Sequence, residues 1–110
     1  IDKYSPDEAA VEDVFTAYNS SAALKLGQAR GAILVACAHK HLPVSSYEPT
    51  MIKKSLVGGG RADKNQVAFM VGQLLNCKPH WAKDASDALA VAITHLNHRK
   101  LARITGYHAL

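Results

Sequence analysis

Cysteine is scarce in these 110 residues. Cys37 and Cys77 are the only two, and they form neither a C-x-x-C pair nor a disulfide framework. That removes the small disulfide-stapled scaffolds and points to a reducing compartment. Long apolar runs are missing as well. The longest candidate, 31–38, is too short to cross a bilayer and reads as a buried helix segment at most, so no membrane partner is expected. Repeats and low-complexity stretches are absent. Charge of one sign does not dominate: thirteen Lys and Arg against nine Asp and Glu leave a net +4. Such a mildly basic balance is compatible with nucleic acid without being diagnostic of it. The length suits one domain, 1–110.

The chain contains the punctuation of an α/β unit. The stretch 8–14 reads as a strand, with Val11, Val14 and Phe15 as its β-favouring residues. Tyr18-Asn19-Ser20-Ser21 signals a turn and a cap, and a helix follows from Ala22 to about His39. Ala23, Gly27 and Gly31 recur every fourth position on it, a stripe suited to close packing on a sheet or on a partner helix. Leu42-Pro43 stops the helix, and 44–47 reads as a second strand. Strand, helix, strand over this span predicts a βαβ unit with parallel strands.

Helices follow. A short one is predicted over 50–57, broken by Gly58-Gly59-Gly60. Asp63-Lys64-Asn65-Gln66 has the form of a capping box. It opens a helix to about Leu75 with Val67, Met70, Val71 and Leu74 on one face. A loop is expected over 77–81 around Pro79, then a last helix from Asp84 to about His98, with Arg99, Lys100 and Arg103 in a tail. Two strands do not make a stable sheet. The chain opens at Ile1 with residues that read as the end of something already under way. The fold is therefore expected to lack its opening strands.

The chemistry-bearing feature is a set of carboxylates. Asp84 and Asp87, three apart, share one helix face. Glu12 lies inside an otherwise apolar strand pattern. Carboxylates brought together repel unless a cation sits between them, and hard divalent ions take oxygen ligands. If the fold carries Glu12 to the start of the last helix, the three make most of a metal site for phosphoryl transfer. Taken singly, each has a plainer reading: Asp84 as a helix cap, Asp87 as a first-turn acid on the helix dipole, Glu12 as a strand end facing water. A rival metal site pairs His95 and His98, i and i+3 on a helix, with His80 or His108 around zinc, though no cysteine is spaced to join them.

Three motifs in order resemble one family. They are Val11-Glu12-Asp13-Val14-Phe15 with Ser21-Ala-Ala-Leu-Lys-Leu-Gly-Gln-Ala-Arg-Gly31; Ile52-Lys53-Lys54-Ser-Leu-Val-Gly58 with Ala62-Asp63-Lys64-Asn-Gln-Val67; and Asp84-Ala-Ser-Asp87-Ala-Leu-Ala-Val-Ala-Ile-Thr-His95. From about Pro6 to His95 the chain is similar to RuvC, the bacterial Holliday junction resolvases. The resemblance implies a ribonuclease H-like α/β fold, of which this chain holds the parallel βαβ portion and the following helices. It implies a homodimer in the bacterial cytoplasm that cuts four-way junction DNA with Mg²⁺, or Mn²⁺ in its place, working beside a branch-migration complex.

It also implies roles. Glu12, Asp84 and Asp87 map to catalytic metal ligands, with Asp84 at the family's most variable position. Phe15 maps to an aromatic set against DNA near the crossover; otherwise it is a core residue at a strand end. Lys53 and Lys64 map to lysines for DNA binding and cutting; otherwise they are solvated surface residues. The family's fourth ligand, an aspartate in a motif like Gly-Ile-Asp-Pro-Gly, has no counterpart in these 110 residues. Asp2 has neither the right neighbours nor the right place. The alternative function is therefore a catalytically inactive junction-binding or dimerisation fragment.

Overall fold

Two strands, β1 (Ala9–Glu12) and β2 (Val44–Tyr47), pair in parallel with Ala9 opposite Val44 and Glu12 opposite Tyr47. Two more bonds lengthen the ladder: the Ala9 N–H donates to the Pro43 carbonyl at 2.9 Å and the Asp13 N–H to the Tyr47 carbonyl at 2.8 Å. The computed structural model that shows this describes residues 1–13, 20–59, 63–76 and 82–106. Phe15 and the expected loop 77–81 lie outside the described residues. The crossover that parallel pairing demands is α1 (Ser20–His39), followed by α2 (Pro49–Val57), α3 (Lys64–Leu74) and α4 (Lys83–Thr105). The βαβ unit with trailing helices is thus the one expected.

Strand alternation splits the sheet into two working faces. Val11, Asp13 and Ser46 share one. There Arg30 of α1 pairs with the Asp13 carboxylate at 3.1 Å and donates to Ser46 Oγ at 3.2 Å. Ala10, Glu12 and Tyr47 share the other, which carries the core. Tyr47, Ile52, Leu56, Val67, Val71, Ala90 and Val91 are buried together there, with Ala10, Met70, Leu89 and Ile93 packed against them. Ile52→Ala in such a core costs about 2–5 kcal/mol. It would also loosen α2, which carries Lys53.

Helix ends follow local rules. α1 closes in a Schellman arrangement: the His41 N–H reaches the Ala38 carbonyl and the Leu42 N–H the Cys37 carbonyl, with His41 at φ 57° where glycine is usual. Pro43 then forbids continuation. α2 starts on Pro49 and ends on Gly58 at φ 81°. The capping box forms as read, with the Asp63 carboxylate accepting from the Gln66 N–H and the Gln66 side chain accepting from the Asp63 N–H, both at 2.8 Å.

Several expectations need correction. α4 runs to Thr105, seven residues past His98, so Arg99, Lys100 and Arg103 lie on a helix and not in a tail. The apolar periodicity fades at His98, but residues 99–104 include good helix formers. The helix ends where Gly106 takes φ 71° and its N–H caps the Ala102 carbonyl. The segment 31–38 is not buried: within α1 only Cys37 is. Leu74, placed on the apolar face of α3, is 54% exposed, because α3 turns only Val67, Val71 and Gly72 fully inward.

Candidate functional site

Glu12 is the last residue of β1, so the strand end projects it where the core stops. Asp87 lies just past the first turn of α4, between buried Ser86 and the Ala90–Val91 pair that packs into the core. Lys53 follows buried Ile52 on α2, and Lys64 is the first residue of α3, fixed by the capping box before it. These four side chains, from four elements, line one cavity of about 100 Å³, with Pro49, Ile52, Val67 and Ala90 as its apolar wall.

Charge at this cavity is out of balance for Glu12. Its carboxyl is held above the ordinary 4.5, first by loss of solvation and then by the negative charge of Asp87, while Lys64 and Lys53 pull the other way. The two lysines do not fully offset burial and the second carboxylate. A site that raises the cost of ionising its own carboxylate, and that has oxygen donors facing a cavity, suits a hard divalent ion. Magnesium commonly uses one or two carboxylates and keeps several waters.

Asp84 is placed differently. It is exposed in the first turn of α4 and is not among the cavity-lining residues. It is not the cap either, since the N-cap position is Ala82, with no side-chain bond. Among the described residues no three His, Cys, Asp or Glu side chains are grouped to hold a metal. The zinc reading loses His95, whose two ring nitrogens are both engaged by protein. Asp2 pairs with Lys40 at 2.7 Å, on a surface ion pair and not at the cavity.

The sequence reading missed a second polar cluster, which joins the residue before β1 to the last residue of β2 through α4. Tyr47 Oη lies 2.7 Å from His95 Nδ1, and His95 Nε2 lies 3.3 Å from Glu8 Oε1. Arg99 Nη1 takes the other Glu8 oxygen at 2.8 Å. The tautomer protonated on Nε2 satisfies both histidine bonds, with the Tyr47 hydroxyl donating to Nδ1 and Nε2–H donating to Glu8. The Tyr47 ring meets His95 edge-on at 5.8 Å and His98 at 5.2 Å between centroids. Burial pushes the Tyr47 hydroxyl pKa up; a bond with Ser45 opposes this and the charge of Glu8 adds to it. The i, i+4 spacing of His95 and Arg99 opposite an acid at a strand start was the available signal.

Comparison with known proteins agrees with this architecture. The model of the family described as crossover junction endodeoxyribonuclease RuvC matches residues 1–95. The protein of that name from Oleidesulfovibrio alaskensis is 62% identical over 104 residues, covering 94% of this chain and 63% of its own length. The one from Nitratidesulfovibrio vulgaris is 58% identical over 103 residues, covering 94% and 62%. Among solved structures, Thermus thermophilus RuvC superposes with a TM-score of 0.82 at 36% identity, over 91% of this chain and 61% of that one. T. thermophilus RuvC in complex with Holliday junction substrate gives 0.85 at 36% identity, over 92% and 62%. The fold is therefore ribonuclease H-like, and the chain spans somewhat under two thirds of these relatives' length. No helix among the described residues is long and apolar enough to cross a membrane.

Proposed function

Because the chain belongs to the RuvC family, we propose that it acts in a structure-selective endodeoxyribonuclease that nicks four-way DNA junctions in recombination and repair. The observation that carries this reading is the cavity where Glu12 and Asp87 meet Lys53 and Lys64. Acidic and basic groups from separate elements converge there around room for a phosphate and a small cation.

Each residue has a job in this reading. Glu12 and Asp87 would hold the divalent ion, Mg²⁺ or Mn²⁺ in its place, with Asp84, exposed one turn earlier on α4, joining them only when its side chain turns toward the cavity. The chemistry such an ion supplies is Lewis-acid activation of water and charge neutralisation at the leaving 3′-oxygen. Lys53 and Lys64 bind the phosphate oxygens and offset charge that builds there during displacement. Ile52 and Val67 keep one wall of the cavity dry, which strengthens these contacts. Phe15 follows Glu12 by three residues and supplies a ring for the bases at the crossover. The partners are four-way junction DNA, a second copy of the protein and a branch-migration complex, in the bacterial cytoplasm. A dimer suits a junction because two sites about one two-fold axis nick two strands symmetrically.

A second reading keeps junction binding without cutting. One observation favours it: these 110 residues contain no Gly-Ile-Asp-Pro-Gly motif, so a further carboxylate must come from sequence beyond them or be dispensed with. A cleavage assay on a synthetic four-way junction with Mg²⁺ separates the two. Paired nicks that disappear in Glu12→Gln support the nuclease. Junction binding without nicks by the full-length protein supports the binding-only reading.

A further inference from the structure

We infer that His95 is a positioning residue for Asp87: bonded to Tyr47 on β2 and to Glu8 at the start of β1, it fixes how far α4 lies along β1 and so keeps Asp87 opposite Glu12. The inference rests on the reading of Glu12 and Asp87 as the ion-holding pair.

The geometry is that of a helix fastened at one end to aim the other. Eight residues separate Asp87 from His95 on α4, and four separate Glu8 from Glu12 around β1. Helical rise gives about 12 Å for the first and strand rise about 13 Å for the second. The lengths match, so α4 runs antiparallel to β1, with Glu12 meeting Asp87 at one end and Glu8 meeting His95 at the other. Between the ends Ala90, Val91 and Thr94 of the helix are buried, the first two in the core cluster with Tyr47 and Ala10 of the sheet. The Thr94 hydroxyl turns back onto the Ala90 carbonyl of its own helix at 2.9 Å and makes no bond to the sheet. Small apolar contacts resist separation well and sliding poorly, because neighbouring packings differ little in area.

Directional bonds set the register instead. His95 bonds β2 through Tyr47 and the start of β1 through Glu8, and Arg99 one turn later takes the second Glu8 oxygen. One side chain thereby locks the helix to both strands. Glu8 and His95 are not among the residues that line the cavity at Glu12, whereas Tyr47 is the register partner of Glu12 and shares the core with Ile52, Val67 and Ala90 of the cavity wall. His95, which does not line the cavity, therefore acts on the site through the placement of α4. A displacement of about 1 Å at a reacting group is enough to cost up to about a hundredfold in rate.

The test uses the full-length protein with His95→Ala, His95→Gln and Tyr47→Phe, and Asn97→Ala as a control on the same helix. Asn97 bonds Ser55 of α2 at 3.4 Å, on the exposed side. Three quantities are read: Mn²⁺ affinity by electron paramagnetic resonance, junction affinity without metal, and single-turnover nicking with Mg²⁺. Positioning predicts that His95→Ala weakens Mn²⁺ binding and slows nicking, both about tenfold or more, with junction affinity within twofold. His95→Gln, which still donates toward Glu8, recovers part of both. Tyr47→Phe, which keeps the ring and loses the hydroxyl, falls between, and Asn97→Ala matches wild type. Unchanged Mn²⁺ affinity in His95→Ala overturns the inference, as does an equal loss of junction affinity. If wild type binds Mn²⁺ through Glu12 and Asp87 yet never nicks, the nuclease reading fails while the Mn²⁺ series still decides the role of His95. A wild type that binds no Mn²⁺ overturns both.

Discussion

Asp87 faces Glu12 across one small cavity, and its charge helps raise the Glu12 carboxyl above the ordinary carboxylate value. A carboxyl whose ionisation is opposed by burial and by a neighbouring carboxylate is destabilising in isolation. Binding a cation turns that cost into affinity, because the ion gains both charges at once.

This fixes a first expectation. Glu12→Gln and Asp87→Asn each lower junction nicking by at least about a hundredfold, since even residues that merely support metal ligands commonly cost 10–100-fold in metal affinity. Junction binding in the absence of metal stays near wild type, because neither carboxylate attracts phosphate. Single-turnover cleavage beside a gel-shift titration measures both.

Stability should move the opposite way to activity. The folded-state pKa of Glu12 is raised above 4.5, so the folded protein binds more protons than the unfolded chain between the two values. Stability therefore falls as pH rises through that window. Glu12→Gln removes the effect: without added metal it melts at a higher temperature than wild type near neutral pH, and the gap narrows as pH falls through the raised folded value toward 4.5 and is closed below it. Melting curves in chelator across this range check the sign. Excess Mg²⁺ should close the gap from the wild-type side by stabilising the ion-binding form.

Much of this was legible in the sequence. The capping box at Asp63 and the stop at Leu42-Pro43 are local rules and are realised as read. The parallel pair follows from crossover length, and motif order brought Glu12, Asp87, Lys53 and Lys64 into one reading. The length of α4 was not legible, because helices propagate through polar residues as readily as through apolar ones until a glycine intervenes. The Glu8–His95–Tyr47 cluster was not legible either. It joins residues 48 and 87 positions apart, and only the antiparallel run of α4 over β1 brings them together. Asp84 shows the limit of helical spacing, since sharing a face with Asp87 does not put it at the cavity lining.

Lys53 and Lys64 should behave as phosphate contacts. Each lines the cavity and acts on Glu12 through its charge. Replacing either with Ala weakens junction binding at low salt and reduces the slope of log affinity against log salt by about one. The weakening should be uniform across junction sequences, because a phosphate contact carries no base information. A salt titration of each variant against wild type gives the slope, and an unchanged slope would remove that lysine from the interface.

The last expectation concerns α1. Its only fully buried side chain is Cys37, and its link to the sheet runs through Arg30. Along another side, Leu24 (63% exposed) and Val35 (70% exposed) flank Gly27 and Gly31. A Cβ added at either glycine would meet nothing within 4 Å. Neither glycine is therefore needed for packing within the described chain. A row of small residues between exposed aliphatic ones lets a second helix approach closely, and the apolar flanks then bury against it. The full-length protein should sediment as a dimer at micromolar concentration. Gly27→Glu and Gly31→Glu should shift it toward monomer while leaving the thermal melt of the monomer intact, because the added side chains enter open space in the single chain. The paired nicks should become single nicks in the same variants. Sedimentation velocity across a concentration series measures the first effect and product analysis on a labelled junction the second; a wild type that stays monomeric throughout would remove α1 from any two-fold contact.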